Sequence, residues 1–227
     1  MKKVYLGLAI AGLLAGCAST TETTTSAKKE MNTATGPVAV ITSSASSLIQ
    51  DPQLTAFRSN SGKSDVWNKD ANKNNGLGDV GSSKDTAYGD EGSARIRFID
   101  SSDDFSATPG LSQTVTGLKS NTDYVLSFYY NDKKGDNSPS ELLAGAKGAD
   151  GKVLGEKAIH VRDLSTSPRG EVKKDFRQAQ VEFNSGDNTS VTIYTHMSIV
   201  DLNNIDMNGD IGKQTEVRVD EFALTTK

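Results

Sequence analysis

From Val38 onward the chain is a succession of short runs in which apolar and polar residues alternate. "SARIRFID", "YVLSFYYN", "KAIHVRDL", "RQAQVEFN", "SVTIYTHM" and "EVRVDEFALT" each set an apolar side chain at every second position. Successive side chains of a strand point to opposite faces, so this period of two predicts half-buried β-strands. Clusters such as "KKGDNS", "GADGK" and "NSGDNTS" separate the runs and supply turn residues. No window carries the stripe of a long amphipathic helix. About 190 residues of this pattern predict an all-β chain with a single antiparallel β-sandwich of jelly-roll form. Neither an internal repeat nor a second domain is visible.

The alternation also assigns faces. In "SARIRF" the core takes Ala94, Ile96 and Phe98, which leaves Arg95 and Arg97 outward. Tyr124, Leu126, Phe128 and Tyr130 form one face of their strand, and Val125, Ser127 and Tyr129 the other. "KAIHVRDL" buries Ile159 and Val161 and presents His160 and Arg162, while "SVTIYTHM" buries Val191, Ile193 and Met197 and presents Tyr194 and His196. Should these strands share one concave sheet, the result is a groove with guanidinium forks for carboxylates and aromatic rings for sugars. The alternative is an ordinary solvated outer face.

The N terminus is patterned differently. Lys2 and Lys3 precede a largely apolar run from Val4 to Leu14 and then small residues, the layout of a secretory signal. Eleven helical residues cover only ~16 Å, too little to span a bilayer. Leu14-Ala15-Gly16-Cys17 resembles the lipobox of bacterial lipoproteins, which implies that Cys17 is acylated and heads the mature chain over a signal peptide of residues 1–16. A single cysteine in an exported chain is thereby explained without a disulfide. Ala18 in place of Asp resembles the sorting pattern for the outer membrane, so the resemblance implies a lipid-anchored protein on the periplasmic or cell-surface leaflet. Residues 18–36 hold almost no side chain large enough to pack and predict a disordered tether, the flexible part of a 17–36 segment. As a coil this stretch reaches roughly 25 Å. The domain follows over 37–227.

Overall the chain carries a net charge of −4, and loss of Lys2 and Lys3 with the signal moves it to −6. With no long basic block, nucleic acid is not expected as a partner.

"LSQTVTGLKSNTDYVLSFYY", "VKKDFRQAQVEFNSGDNTSVTIYTHM" and the closing "EVRVDEFALTTK" resemble, in that order, the strands and turns of β-sandwich carbohydrate-binding modules of families 4, 9, 16 and 22. The resemblance spans roughly residues 48–227 and implies a galactose-binding-like sandwich. The middle third is similar to modules attached to alginate lyases, which implies an acidic polysaccharide or oligosaccharide partner, with a lyase or porin downstream. Where those modules open with Asn-Pro-Gly-Phe-Glu, this chain has Asp51-Pro52-Gln53-Leu54-Thr55 and lacks the acidic fifth residue.

The glycan-binding set predicted from sequence is Arg95, Arg97, Tyr129, His160, Arg162, Tyr194, His196 and Trp67. Trp67 admits two readings: an exposed stacking platform, or a lid on the core. Arg58, Lys63 and Lys69 lie near it in sequence. A catalytic polysaccharide lyase would draw on Arg95, Arg97, Gln178, Gln180, His160, His196, Tyr129 and Tyr194, but the Arg-x-Glu-x-Arg, Gln-x-His and Lys-Ala-Gly-x-Tyr strands of such lyases are absent in full. A third class is an assembly lipoprotein that meets a protein through the same sheet. "DMNGDIG" sets Asp206, Asn208 and Asp210 at alternate positions, which with Asp220 or Asp201 would form a structural calcium site; Asp70, Asn72 and Asn74 repeat the spacing. The same residues are also ordinary turn formers.

Overall fold

The computed structural model describes residues 48–89, 92–165 and 176–227. All of them fall in the unit Val38–Lys227. The signal, Cys17 and the tether lie outside the described residues.

The predicted runs form two five-stranded antiparallel sheets. The first contains, in spatial order, β1 (Asn68–Asp70), β4 (Gly110–Thr116), β9 (Ser190–Ile199), β6 (Ser140–Gly148) and β7 (Val153–Ile159). The second contains β2 (Asp79–Ser83), β3 (Ser93–Arg97), β10 (Val217–Thr226), β5 (Asp123–Asp132) and β8 (Arg177–Asn184). The helices described are single turns or little more, α1 (Thr55–Ser59) and α2 (Ile211–Thr215).

The alternation works as predicted where a strand has a core face. Ala94, Ile96 and Phe98 are fully buried, as are Leu126, Phe128, Ile193 and Met197, and all join one apolar core between the sheets. Burial of each large side chain contributes on the order of 1.5–3 kcal/mol. Within β10 the pairing with β5 slips between Asp220 and Ala223, and Glu221 takes a φ of 52° there. This bulge turns Phe222 inward, where it stacks on Phe128 at 5.6 Å and meets Trp67 at 4.7 Å.

Two local elements position the site. Asp51 accepts from the N–H groups of Ala56 (2.9 Å) and Phe57 (2.8 Å), which fixes the start of α1 and so the place of Arg58. Asp210 caps α2, accepting from the N–H of Lys213 at 2.9 Å.

"KAIHVRDL" is not a strand throughout. β7 ends at Ile159, and His160 caps a 3-10 turn over Val161–Asp163 by accepting the Arg162 N–H at its Nδ1. β6 has no counterpart among the sequence-predicted runs because its residues are mostly small. Gly145 lies between Tyr194 on β9 and Glu156 on β7 in register, and a Cβ there would sit 2.7 Å from the Tyr194 hydroxyl. The missing side chain lets Tyr194 lie across β6 and donate to Glu156.

Candidate functional site

The outer face of the second sheet holds a cleft of about 430 Å³. Its floor is β3 and β10, where Arg95 and Arg218 are direct cross-strand partners and Arg97 lies two residues along. Arg58 of α1 and Lys84 beyond β2 form one side, and Lys133 and Lys213 contribute the remaining basic groups. Two glycines shape the floor. A Cβ at Gly81 would lie 3.2 Å from the Arg95 guanidinium, and one at Gly212 would lie 3.1 Å from that of Arg97. Each guanidinium therefore passes close to a glycine whose missing side chain leaves it room.

Like charges directly opposite one another on a sheet repel, so the floor needs internal anions. Asp79 lies 3.5 Å from Arg95 and 3.4 Å from Arg97. Asp85 pairs with Arg218 at 2.9 Å, and Asn131 accepts from the same guanidinium at 3.0 Å. Glu216, only 4% exposed, touches Arg218, Arg97 at 3.5 Å and Lys133 at 3.7 Å. Asp210 lies at the rim, paired with Lys213 at 2.8 Å, and this pairing and the α2 cap hold its carboxyl below the usual range. Among the described residues, seven basic side chains thus face four carboxylates in or beside the cleft. Arg58 and Lys84 make no ion pair among the described residues. The Nε atoms of Arg95 and Arg218 are buried without a hydrogen-bond partner.

The sequence-predicted residues are not brought together. Arg95 and Arg97 belong to the second sheet's outer face, whereas Tyr194 and His196 on β9 belong to the outer face of the first. Tyr129 shares the face of Arg95 but is buried beneath Tyr88 and Phe176, edge-on to Tyr88 with their hydroxyls 2.8 Å apart. Burial first, then the Tyr88 hydrogen bond, push its phenol well above the ordinary range. His160 is 4% exposed and holds the Ser138 carbonyl at 3.1 Å; since its Nδ1 accepts from Arg162, its Nε2 carries the proton and donates. It is a structural residue. Arg162 is exposed on the adjacent turn.

Tyr194 is 2% exposed, with the Lys147 ammonium 4.6 Å above its ring and His196 stacked at 5.1 Å. Burial and then the Glu156 hydrogen bond raise its phenol strongly. His196 reaches across Gly110 to Asp70 at 2.9 Å. Trp67 is the lid rather than the platform: it is 2% exposed, and its indole N–H donates to the Asp51 carbonyl at 3.0 Å. A ring so enclosed offers no face to a sugar. Lys84, Lys133, Lys213 and Arg218 are the basic cleft residues that the sequence reading did not single out, and Arg58 entered it only as a neighbour of Trp67. Arg218 was accessible from alternation in "EVRVDEF", which sends it to the face opposite Val217 and Val219.

This separation bears on catalysis. A lyase must place the carboxylate-neutralising arginine and the proton-transfer groups on one sugar. Here Arg95 and Arg97 lie on one outer face and Tyr194 and His196 on the other, with two sheets packed ~10 Å apart between them.

The oxygens expected to hold calcium do not converge. Asp206 accepts from the Asn208 N–H at 3.0 Å, and Asp210 is engaged with Lys213. Asp220 is fully buried in β10 and accepts from the Ala87 N–H at 2.7 Å. Among the described residues no group of three or more His, Cys, Asp or Glu side chains is placed to hold a metal ion. The four residues do not fit a shared cation.

No protein-family model matches the chain, and no curated protein does. Among solved structures it is similar to the enzymatically active domain of tailspike protein 4 of bacteriophage CBA120, with a TM-score of 0.53 and 9% identity over 83% of this chain and 22% of that one. The MgGH51 α-L-arabinofuranosidase bound to arabinose gives a TM-score of 0.49 and 15% identity, covering 80% of this chain and 26% of that one. A family 61 carbohydrate-binding module (TmCBM61) in complex with β-1,4-galactotriose gives 0.48 and 13%, covering 79% of this chain and 98% of that module. The chain thus spans about a quarter or less of the first two proteins. At these identities the tailspike likeness establishes the β-sandwich fold alone.

Proposed function

We propose that the protein is a polysaccharide-binding lipoprotein of the outer membrane, anchored through Cys17, whose sandwich captures an acidic glycan such as alginate for uptake or degradation by other machinery. The observation that carries this reading is the cationic cleft. An acidic chain that gathers seven basic side chains around 430 Å³ has a local field opposite to its net charge. Local charge decides contact energies, because salt screens distant charges beyond ~10 Å. The cleft volume lies in the range of small-ligand sites, which suits a short segment of a polymer rather than a long run.

The sequence resemblance to carbohydrate-binding modules points the same way, and the lipobox quartet supports the anchor. Retention on a gel containing alginate tests the reading. Replacing Arg95 and Arg97 by Ala removes two charge-assisted contacts, each contributing ~1.5–3 kcal/mol, so retention should fall by at least about tenfold. Unchanged retention in a folded double variant would remove the cleft from the mechanism.

A further inference from the structure

The floor of the cleft contains its own anion. Glu216 touches three of the basic groups at once, Arg97, Lys133 and Arg218. It occupies donors that an incoming oxyanion would need. Among the described residues, even with Glu216, Asp79, Asp85 and Asp210 counted, basic groups exceed carboxylates by three. Arg218 is 7% exposed and its Nε is buried without a partner, as is that of Arg95 directly across the strand pair. A buried donor left unsatisfied is costly, and a guanidinium is the side chain best shaped to meet two oxygens of one group.

Resting on the acidic-glycan reading above, we infer that Arg218, Arg95 and Arg97 form an oxyanion subsite that takes one carboxylate or sulfate ester of the glycan. Glu216 is its internal competitor, because it already engages Arg97 and Arg218, two of the three guanidinium groups. Ligand binding shifts Arg97 and Lys133 from Glu216 to the sugar's oxyanion. Selectivity then comes from the number of guanidinium groups released per anion, and Glu216 sets the affinity threshold that excludes weakly charged glycans.

Glu216→Gln keeps the size and one acceptor but removes the competing charge. Titration calorimetry with the full chain should show roughly tenfold tighter binding of an oligouronate or a sulfated oligosaccharide, whichever the wild type binds, and still none of a neutral one. Arg95→Met should weaken binding by about tenfold or more, and Arg95→Lys should not restore it, because a point charge lacks the planar fork. Arg218→Met leaves Glu216 and Asp85 short of a partner, so Arg95 carries the test if that variant does not fold. Parallel titrations with the oligouronate and the sulfated oligosaccharide identify which oxyanion is taken. Glu216→Gln that binds no tighter than wild type, or Arg95→Met that binds as well, overturns the subsite while leaving acidic-glycan capture standing. A wild-type protein that binds neither anionic probe overturns both.

Discussion

Trp67→Phe separates support from contact. The indole is 2% exposed, packs on Phe222 at 4.7 Å and donates to the Asp51 carbonyl at 3.0 Å. Asp51 in turn holds the start of α1, the helix that carries Arg58 into the cleft wall. Phe keeps an aromatic body but loses the N–H. The Asp51 carbonyl still accepts from the Leu54 N–H at 3.0 Å, so it is not orphaned and the lost bond costs only ~1 kcal/mol. The smaller ring adds roughly another 1 kcal/mol of lost burial and void. A total of about 2 kcal/mol lowers Tm by roughly 4–8 °C for a domain of this size. Thermal unfolding and glycan retention, measured on the same preparations, check this, together with the emission of wild-type Trp67. The expected result is a blue-shifted emission that sugar does not change, a lower Tm for Trp67→Phe, and retention reduced severalfold at most. An unaltered Tm with retention abolished, or emission quenched by oligosaccharide, would show that the ring contacts ligand and refute the placement.

Asp132 is buried, and that burial raises its carboxyl from 3.8 to about 6. A raised folded-state pKa means that its contribution to stability is present below ~4 and is lost as pH rises through ~6. Asp132→Asn should therefore gain on the wild type between pH 4.5 and pH 8, by about 2 kcal/mol from the linkage, as read by urea unfolding at the two pH values; a constant difference would contradict the burial. Gly145→Ala puts a Cβ 2.4 Å from the Gly155 carbonyl and 2.7 Å from the Tyr194 hydroxyl. It should cost ~1–3 kcal/mol by thermal or chemical melting. Calcium and chelator should give coincident melting curves, because Asp206, Asp210 and Asp220 are engaged with protein donors at separate places; a shift of several degrees would show a site elsewhere.

Where an outward residue had only its own strand to obey, sequence located it well. Arg95 and Arg97 lie outward because Ala94 and Ile96 lie inward, and that is a local rule. Sheet membership is not local. Nothing in "SARIRF" and "SVTIYTHM" says that one strand joins β2 and β10 while the other joins β4 and β6. The expectation of one shared groove failed at that step. Alternation likewise gives a face but not its cover. Tyr129 lies outward as predicted, and the segment carrying Ala87 and Tyr88, together with Phe176, then closes over it. The cleft itself joins residues from Arg58 to Arg218, and its charge excess exists only after those elements meet. β6 went unread because Ala144, Gly145 and Ala146 carry little hydrophobic signal, although Gly145 is what lets Tyr194 lie flat. Asp206, Asn208 and Asp210 show the opposite failure: a suggestive spacing that the fold uses for a turn and a helix cap.

The most direct measurement of acidic-glycan capture is calorimetric titration of the wild-type domain with an acidic oligosaccharide and a neutral one of equal length, at low and at moderate salt. Saturable binding of the acidic sugar alone, weakening severalfold as salt rises, is the expected result. Equal affinity for both sugars, binding indifferent to salt, or no binding of either would contradict a cleft built to capture an anionic glycan.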